Sequence, residues 1–428
     1  MQSMIGTNSS QSFKSGSSLK VKTPGSLWVW LLVGLTFLPY FAIPVGENTN
    51  VPISSIVALL IAPKSLAMPR LFVGIQSLLM GAPLVAAFAV LLASGESANI
   101  APLVTWVLYA MPFSAMAVIA FGNPRALVAP LRVFLVFSAS FALVQKFLFI
   151  DKGTLPFISY YRMPGYASVE SNLPTILTYI KRPFGLFPEP SFLAGSLALA
   201  TLSLIAVVYA VGEGVRRLDV YICLLSILVI YLSKSGSAIP TCVLILVALY
   251  WPRTAGLRRL TVICIASATG LFVGASILLE RNSVNNWSWA DRATSLVGAF
   301  RFMFADPIRM LVGVGRGESA ALFQSGDIPL SGLAYSHVLS DIYSVTGRVI
   351  FENGVVFGGS AMVALCVFIF LGSRELAGRV VAWSFLAGWL VVGTITTSYD
   401  SAAWIWAMPG ILTGLHFRQR ERLGSRCE

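Results

Sequence analysis

Long, nearly uninterrupted apolar runs constrain this chain more than any other feature. A helix that crosses a bilayer needs about 20 predominantly apolar residues in succession, and apolar residues make up 56% of this 428-residue chain. Only 11% of the residues are charged, too few to coat a water-facing surface. The pattern predicts an all-α fold, a polytopic membrane helical bundle of about 12 transmembrane helices. The apolar runs cover residues 27–45, 47–63, 71–93, 102–121, 131–149, 190–211, 219–233, 236–251, 260–279, 354–372, 380–397 and 401–415.

The positions of the charges predict how the bundle is oriented. A net charge of +12 is compatible with nucleic-acid binding, but most of the thirty basic residues fall in the two tails and in alternate connections between runs. Lys234 is the only basic residue in the short loops on the other side. Because short cytoplasmic loops are enriched in Lys and Arg, we expect both termini in the cytoplasm and no nucleic-acid partner.

The same pattern divides the chain into regions. Residues 1–26 are rich in Ser, Gly and Lys and are predicted to form a disordered cytoplasmic tail. Residues 27–417 are predicted to form the transmembrane bundle, interrupted by two long outer loops at residues 150–189 and 280–353. Residues 418–428 are predicted to form a basic cytoplasmic tail. No soluble domain is expected.

The second outer loop contains an amphipathic pattern. Its apolar residues recur at helical spacing, which predicts a helix that either lies flat on the membrane surface or packs on the end of the bundle. Further along, Trp404 and Trp406 are expected to belong to an interfacial aromatic belt. The apolar stripe of the loop consists of Ala293, Leu296, Val297, Phe300 and Phe304.

Two charged residues at outer ends of runs are candidates for chemistry. Glu189 stands between Pro188 and Pro190 at the start of an apolar run. A carboxylate at a membrane boundary is costly unless it has a partner or a task, although an acid at a helix start is also favoured by the helix dipole. Lys234 lies against the topological charge bias, so its ammonium group either binds an anion or extends to lipid headgroups.

The second outer loop holds further candidates. Arg316 lies in the glycine-rich segment Gly313–Gly317, where the backbone can approach a ligand closely and a guanidinium can bind phosphate oxygens; many such turns are only turns. His337 is the sole histidine on the outer side and is either a proton acceptor or a hydrogen-bonded bystander. With only one other histidine, His416, a zinc site with several histidines is excluded.

Four segments together resemble a known family. Arg182 followed by Gly185–Ala194, read G-L-F-P-E-P-S-F-L-A, is similar to the R-x-x-G-L-F-x-E-P-S-x-x-A stretch of Wzy-type O-antigen and exopolysaccharide polymerases. Ser233–Gly236 is similar to the S-R-x-G hairpin of that superfamily, with Lys234 in place of arginine. Leu311–Gly317 resembles its G-x-G-x-G turn, and His337–Gly354 resembles its H…E-x-G element.

The resemblance implies a metal-independent membrane glycosyltransferase that needs no cofactor, in a multi-pass protein of the bacterial inner membrane with the outer loops in the periplasm. Such an enzyme transfers a glycan from undecaprenyl diphosphate onto a sugar hydroxyl of another lipid-linked repeat unit. The partners it implies are the undecaprenyl-diphosphate-linked oligosaccharide, a chain-length regulator and a flippase, in addition to the membrane lipids expected around the bundle.

The resemblance also implies roles for individual residues. Arg182, Lys234 and Arg316 are expected to bind the diphosphate, with Arg301 and Arg348 as further candidates. The catalytic candidates are His337, Glu189 and Glu352, of which His337 or Glu189 would accept the proton of the acceptor hydroxyl. No metal ligand is expected.

Two other functions remain open at this level. An O-antigen ligase would transfer finished polysaccharide to a lipid A core or a protein; the Glu-Pro-Ser sequence at 189–191, where ligases often have Asn-Pro-Asn, favours the polymerase. A non-catalytic flippase or transporter would place ionisable residues near the membrane midplane. The sequence shows no charged residue deep within an apolar run, which favours chemistry at the outer surface.

Overall fold

The structure of the chain is a computed structural model. It describes residues 24–38, 41–44, 50–94, 100–155, 181–236, 238–251, 288–328, 342, 344–371, 376–395 and 403–424, together with some helical residues between 261 and 274.

The described residues are predominantly helical, which confirms the predicted all-α class. A two-stranded antiparallel hairpin is the one described sheet, formed by β1 (Ala42–Pro44) and β2 (Asn50–Pro52). Turns of 3-10 or π geometry extend several helices. The α-helices are α1 (Ser26–Thr36), α2 (Ile53–Ile61), α3 (Arg70–Ser94), α4 (Ile100–Gly122), α5 (Arg125–Val144), α6 (Pro190–Val211), α7 (Arg217–Leu232), α8 (Ala238–Tyr250), α9 (Ser288–Phe304), α10 (Pro307–Val312), α11 (Ser319–Gln324), α12 (Val345–Asn353), α13 (Ser360–Leu371), α14 (Leu376–Ile395) and α15 (Ala403–Gly424).

Five helical stretches within the described residues are long and apolar enough to cross a bilayer. Other apolar helices there, such as α1 and α8, are shorter. The figure of twelve transmembrane helices therefore stays a prediction. The five stretches are Arg70–Leu92, Leu103–Gly122, Arg125–Lys152, Pro190–Val211 and Val345–Val367.

One predicted apolar run is wrong as a single helix, and two helices extend into the segments predicted as outer loops. The run 27–45 is not one helix: α1 ends at Thr36 and β1 follows, because Pro39 and Pro44 lack the amide hydrogen that a continuing helix needs. The helical stretch that begins with α5 reaches Lys152, inside the predicted first outer loop. α12 begins at Val345, inside the second.

The last helix also extends further than its apolar run. α15 continues to Gly424, so residues 418–424, predicted as part of a basic tail, are helical. Arg418 explains part of this extension. Its Nη1 donates to the carbonyl oxygens of Phe121 (3.1 Å) and Gly122 (2.9 Å), which are among the last of α4. These hydrogen bonds satisfy carbonyls that a helix end leaves without a partner.

α6 is the central helix of the bundle. The whole of its apolar window is buried inside the protein, and it contacts α5, α7, α8, α14 and α15. Its close packing depends on Gly195, where an added Cβ would lie 2.7 Å from Val392 Cγ1 and 2.9 Å from the Trp404 ring. The segment that precedes α6 is therefore held over the middle of the bundle.

α4 and α15 make the most extensive helix–helix contact in the described bundle. Gly410 and Gly414, four residues apart on α15, let its backbone touch that of α4. A Cβ on Gly410 would lie 2.2 Å from the Phe113 carbonyl oxygen, and one on Gly414 would lie 2.3 Å from that of Ala117. Small residues at this spacing permit close helix packing where no hydrophobic effect drives association within lipid.

Replacing Gly414 with alanine is expected to lower the free energy of unfolding by about 1–3 kcal/mol, the usual cost of forcing extra atoms into a packed site. Gly81 of α3 is the matched control, because a Cβ there meets nothing within 4 Å. Thermal unfolding in detergent should show a lower midpoint for Gly414→Ala than for Gly81→Ala. Equal midpoints would contradict the close contact.

A second, smaller hydrophobic core lies outside the main one. Its buried members include Ala299 and Met303 of α9 and Phe351 of α12. The amphipathic helix predicted in this loop is therefore present and packs on neighbouring elements through Leu296, Ala299, Phe300 and Met303. Ala293, Val297 and Phe304 belong to the same predicted stripe but are exposed.

Candidate functional site

The segment before α6 brings two of the predicted diphosphate ligands together. Arg182 Nη1 donates a hydrogen bond to the carbonyl oxygen of Lys234, at 3.4 Å. Two lysines of this region adopt left-handed backbone conformations, with φ of 43° at Lys181 and 49° at Lys234. Such conformations are uncommon outside glycine and concentrate at ligand-binding and active sites. We call Arg182, Lys234 and Glu189 the α6-head cluster.

Gln145 fixes the turn that carries the α6-head cluster. Its buried Oε1 accepts hydrogen bonds from the backbone amides of Phe184 (2.9 Å) and Gly185 (2.8 Å). Gly185 has a φ of +59°, and a Cβ there would lie 3.2 Å from Leu193 Cδ1. Gln145 also begins a π-helical turn that reaches Phe149, a distortion frequent at functional sites. Sequence analysis missed Gln145; its only signal is an amide side chain near the end of the run 131–149.

Replacing Gln145 with leucine is expected to lower the free energy of unfolding by about 2–6 kcal/mol, because each of two buried amides left without an acceptor costs about 1–3 kcal/mol. Gln76→Leu is the control, since the described contact of the Gln76 amide is one 4.0 Å approach to Met80 Sδ. Thermal unfolding in detergent compares the two variants. A Gln145→Leu protein as stable as Gln76→Leu would remove Gln145 from this role.

Glu189 lies at the start of α6 with its side chain partly exposed. Its backbone carbonyl accepts from the amides of Phe192 and Leu193, and its Oε2 accepts from Ser191 Oγ at 2.9 Å. The carboxylate makes no capping hydrogen bond to the helix backbone. The Glu189 side chain therefore lies at a helix start without capping the helix. Its role as a base stays a prediction.

Three other predicted site residues form a buried ion cluster, which we call the Glu352 triad. Arg316 Nη1 and Arg348 Nε each lie 2.8 Å from a different carboxylate oxygen of Glu352. Ser319 Oγ donates to Glu352 Oε1 at 2.9 Å. The side chains of Glu352, Arg316 and Arg348 are only 0%, 2% and 7% exposed. The triad thus joins the glycine-rich segment to α12.

Glycines allow the backbones to meet beside the Glu352 triad. The amides of Val314 and Gly315 donate to the carbonyl oxygens of Phe351 (3.2 Å) and Glu352 (3.1 Å). A Cβ on Gly313, where φ is +85°, would lie 2.4 Å from the Glu352 carbonyl oxygen. Both oxygens of the Glu352 side chain already accept hydrogen bonds, so its geometry is that of a residue that positions arginines.

Aromatic residues link the two clusters. Arg316 Cζ lies 5.0 Å from the centroid of the Trp106 ring, a cation–π distance. Trp106 packs edge-on against Trp406 at 4.9 Å, and Phe192 packs against Trp404 at 6.4 Å. The first turn of α15 therefore lies between the Glu352 triad and the start of α6.

This packing corrects the expected aromatic belt. Trp404 and Trp406 are 0% and 2% exposed, so neither ring faces outward as a ring of an aromatic belt does. They fill the space between α15 and its neighbours. The sequence pattern around a tryptophan is the same whether its ring is buried or exposed, so it could not distinguish the two cases.

The two remaining site predictions lie elsewhere. Arg301 is on the exposed side of α9, and the described contacts that define the two clusters do not include it. His337 lies outside the described residues.

The junction between α9 and α10 carries a charge-dependent cap. Asp306 accepts from the Ile308 amide (2.8 Å) and from Arg309 Nε (3.1 Å). The hydrogen bond from Arg309, followed by that from the Ile308 amide, lowers the pKa of Asp306 from its ordinary value. Because this pKa is lowered, the cap stabilises the fold at pH values above about 3.9, the ordinary pKa of an aspartate. The stabilisation is lost as the pH falls through the lowered pKa.

Helices of membrane-spanning length, a buried central helix and exposed apolar side chains on the outer helices define an α-helical membrane protein. No family model matches the sequence, and no curated protein matches it either.

Proposed function

We propose that this protein is a polysaccharide polymerase of the bacterial inner membrane. It transfers a glycan from undecaprenyl diphosphate onto a sugar hydroxyl of another lipid-linked repeat unit and releases undecaprenyl diphosphate. In this proposal about 12 helices span the membrane, both termini are cytoplasmic, and the two long outer loops are periplasmic. A flippase and a chain-length regulator act with it.

The observation that carries the proposal is the α6-head cluster. The guanidinium of Arg182 donates a 3.4 Å hydrogen bond to the backbone carbonyl of Lys234, so two cationic residues far apart in sequence lie on segments that touch. Glu189, with its partly exposed carboxylate, ends the same segment over the central helix. A diphosphate gathers negative charge as its glycosidic bond breaks, so cations already held in place stabilise the transition state.

The transfer can be written with these residues. The acceptor hydroxyl oxygen forms a bond to the anomeric carbon while the bond from that carbon to the diphosphate oxygen breaks. The electron pair of the broken bond stays on the diphosphate, next to Arg182 and Lys234. Glu189 or His337 takes the hydroxyl proton. Lys234 supplies a point charge where arginine would supply two parallel donors.

The Glu352 triad lies on the other side of the first turn of α15 from the start of α6, and we assign it a structural part in this proposal. Arg316 and Arg348 are predicted diphosphate ligands, yet their guanidinium groups are buried against Glu352. We therefore assign Glu352 to positioning: it holds both arginines, and with them the glycine-rich segment, at fixed places in the bundle. Arg301, on the exposed side of α9, remains a further candidate ligand in this proposal.

Reconstitution tests the proposal. The purified protein in liposomes is incubated with undecaprenyl-diphosphate-linked repeat units, and the glycans are separated by length. Longer lipid-linked glycans and released undecaprenyl diphosphate are expected. Transfer to a lipid A core without lengthening would replace the polymerase with a ligase, and translocation of unchanged substrate would replace it with a transporter.

Orientation is tested separately. Cysteine introduced at Lys234 should react with a membrane-impermeant maleimide added from the periplasmic side of intact cells. Reaction from the cytoplasmic side alone would overturn the proposed topology.

A further inference from the structure

The exposed surface of α9 and α10 carries an apolar stripe, and on α9 this stripe lies apart from the residues of the small core. The apolar residues of the stripe are 43–57% exposed. Val297, Arg301 and Phe304 recur at spacings of four and three residues along α9, and Ile308 and Leu311 are three residues apart on α10, so each set lies along one side of its own helix. Arg301, also exposed, lies within it. The apolar members are Val297, Phe304, Ile308 and Leu311.

This stripe adjoins an exposed apolar surface on a helix of membrane-spanning length. α10 contacts α3, and a Cβ on Gly315 would lie 3.8 Å from Val90 Cγ1 of α3. α3 is one of the membrane-length helices, and only 33% of its apolar window is buried. Its exposed residues near Val90 are Leu84, Val85, Phe88, Leu91 and Leu92, at 37–71% exposure.

Charge distinguishes the two neighbouring surfaces. The exposed residues of α3 near Val90 are uncharged, as acyl chains require. The stripe on α9 and α10 instead combines apolar residues with Arg301, and the charge of Asp306, which lies between the two helices, is paired with Arg309 at 3.1 Å. Apolar side chains beside a basic one are typical of helices that lie at the boundary between acyl chains and anionic headgroups.

We propose that the α9–α10 edge is embedded in the adjacent leaflet at the headgroup–acyl boundary, with Arg301 at the level of the lipid phosphates. The small core on the other side of α9 then connects this membrane-embedded edge to the Glu352 triad, because Phe351 packs in that core and is the residue before Glu352. This anchoring requires only a bilayer and holds whether or not the protein transfers glycans.

Photo-crosslinking tests the anchoring in the intact protein. p-Benzoylphenylalanine is incorporated in place of Phe304 or Ile308, and the protein is irradiated in nanodiscs of phosphatidylethanolamine and phosphatidylglycerol. Gln324 is the control position, because it is exposed on α11 beside the polar residues Ser325 and Asp327. Intact mass should show lipid adducts at Phe304 and Ile308 at least several-fold above those at Gln324.

Other outcomes overturn the proposal. Lipid adducts no more abundant at Phe304 and Ile308 than at Gln324 would mean that the stripe faces water. Covalent dimers at these positions would assign the stripe to a second copy of the chain. Arg301→Gln should reduce the share of phosphatidylglycerol among the adducts at Phe304; an unchanged share would contradict the placement of Arg301 at the phosphates.

Discussion

Replacing Glu352 with glutamine is expected to lower the free energy of unfolding by about 3–5 kcal/mol, the cost of removing one partner from a buried ion pair. The change keeps the shape of the side chain but removes the charge that both guanidinium groups share. Arg316 and Arg348 are almost fully buried, so water cannot replace the lost charge. Thermal unfolding in detergent and the fraction of monodisperse protein measure the effect.

The chain contains a matched control for this substitution. Glu213 also pairs with two arginines, Arg125 (3.4 Å) and Arg216 (3.1 Å), but those arginines are 70% and 61% exposed. Exposed pairs contribute about 0–1 kcal/mol, so Glu213→Gln should change the unfolding midpoint little. If the two variants unfold at the same temperature, the Glu352 triad does not hold the glycine-rich segment on α12.

Replacing Arg182 with alanine is expected to slow glycan transfer by about 100- to 1000-fold, the loss typical when one preorganised donor to a developing negative charge is removed. The guanidinium is partly exposed and makes a long hydrogen bond to Lys234, so the variant should still fold. Reconstituted protein and lipid-linked repeat units give the rate, and thermal unfolding gives the stability.

Arg125→Ala is the control for Arg182, because it removes an exposed arginine that pairs with Glu213, just beyond the last residue of α6 and so at the opposite end of that helix from Glu189. We expect it to leave the rate unchanged. Full activity in Arg182→Ala would remove this residue from the mechanism. A loss of rate that accompanies an equal fall in stability would make Arg182 a structural residue.

The fold was predictable where hydropathy alone decides it. The runs 71–93, 102–121 and 190–211 each form one helix. A helix satisfies its own backbone hydrogen bonds, so its apolar side chains can face either protein or lipid on every side. Hydropathy could not predict the end of α1, which is set by prolines. It also could not predict the extension of α15, which depends on hydrogen bonds from Arg418 to carbonyls nearly 300 residues earlier in the chain.

The candidate site was predictable in part. The resemblance singled out Arg182, Lys234, Arg316 and Glu352, and the structure brings them together in pairs rather than in one group. Pairing of this kind depends on tertiary contact, which sequence spacing does not contain. Gln145 was missed for the same reason: its importance comes from two backbone amides about forty residues away.

The complete enclosure of α6 separates one end of the site from the bilayer. Changes in membrane thickness or lipid fluidity act on helices that touch acyl chains, and α6 touches none within its apolar window. Deformation can reach the buried length of α6, which carries Glu189 at its start, only after the surrounding helices have moved. The geometry at the head of α6 should therefore vary little between thick and thin membranes, while the periphery tilts to match each of them.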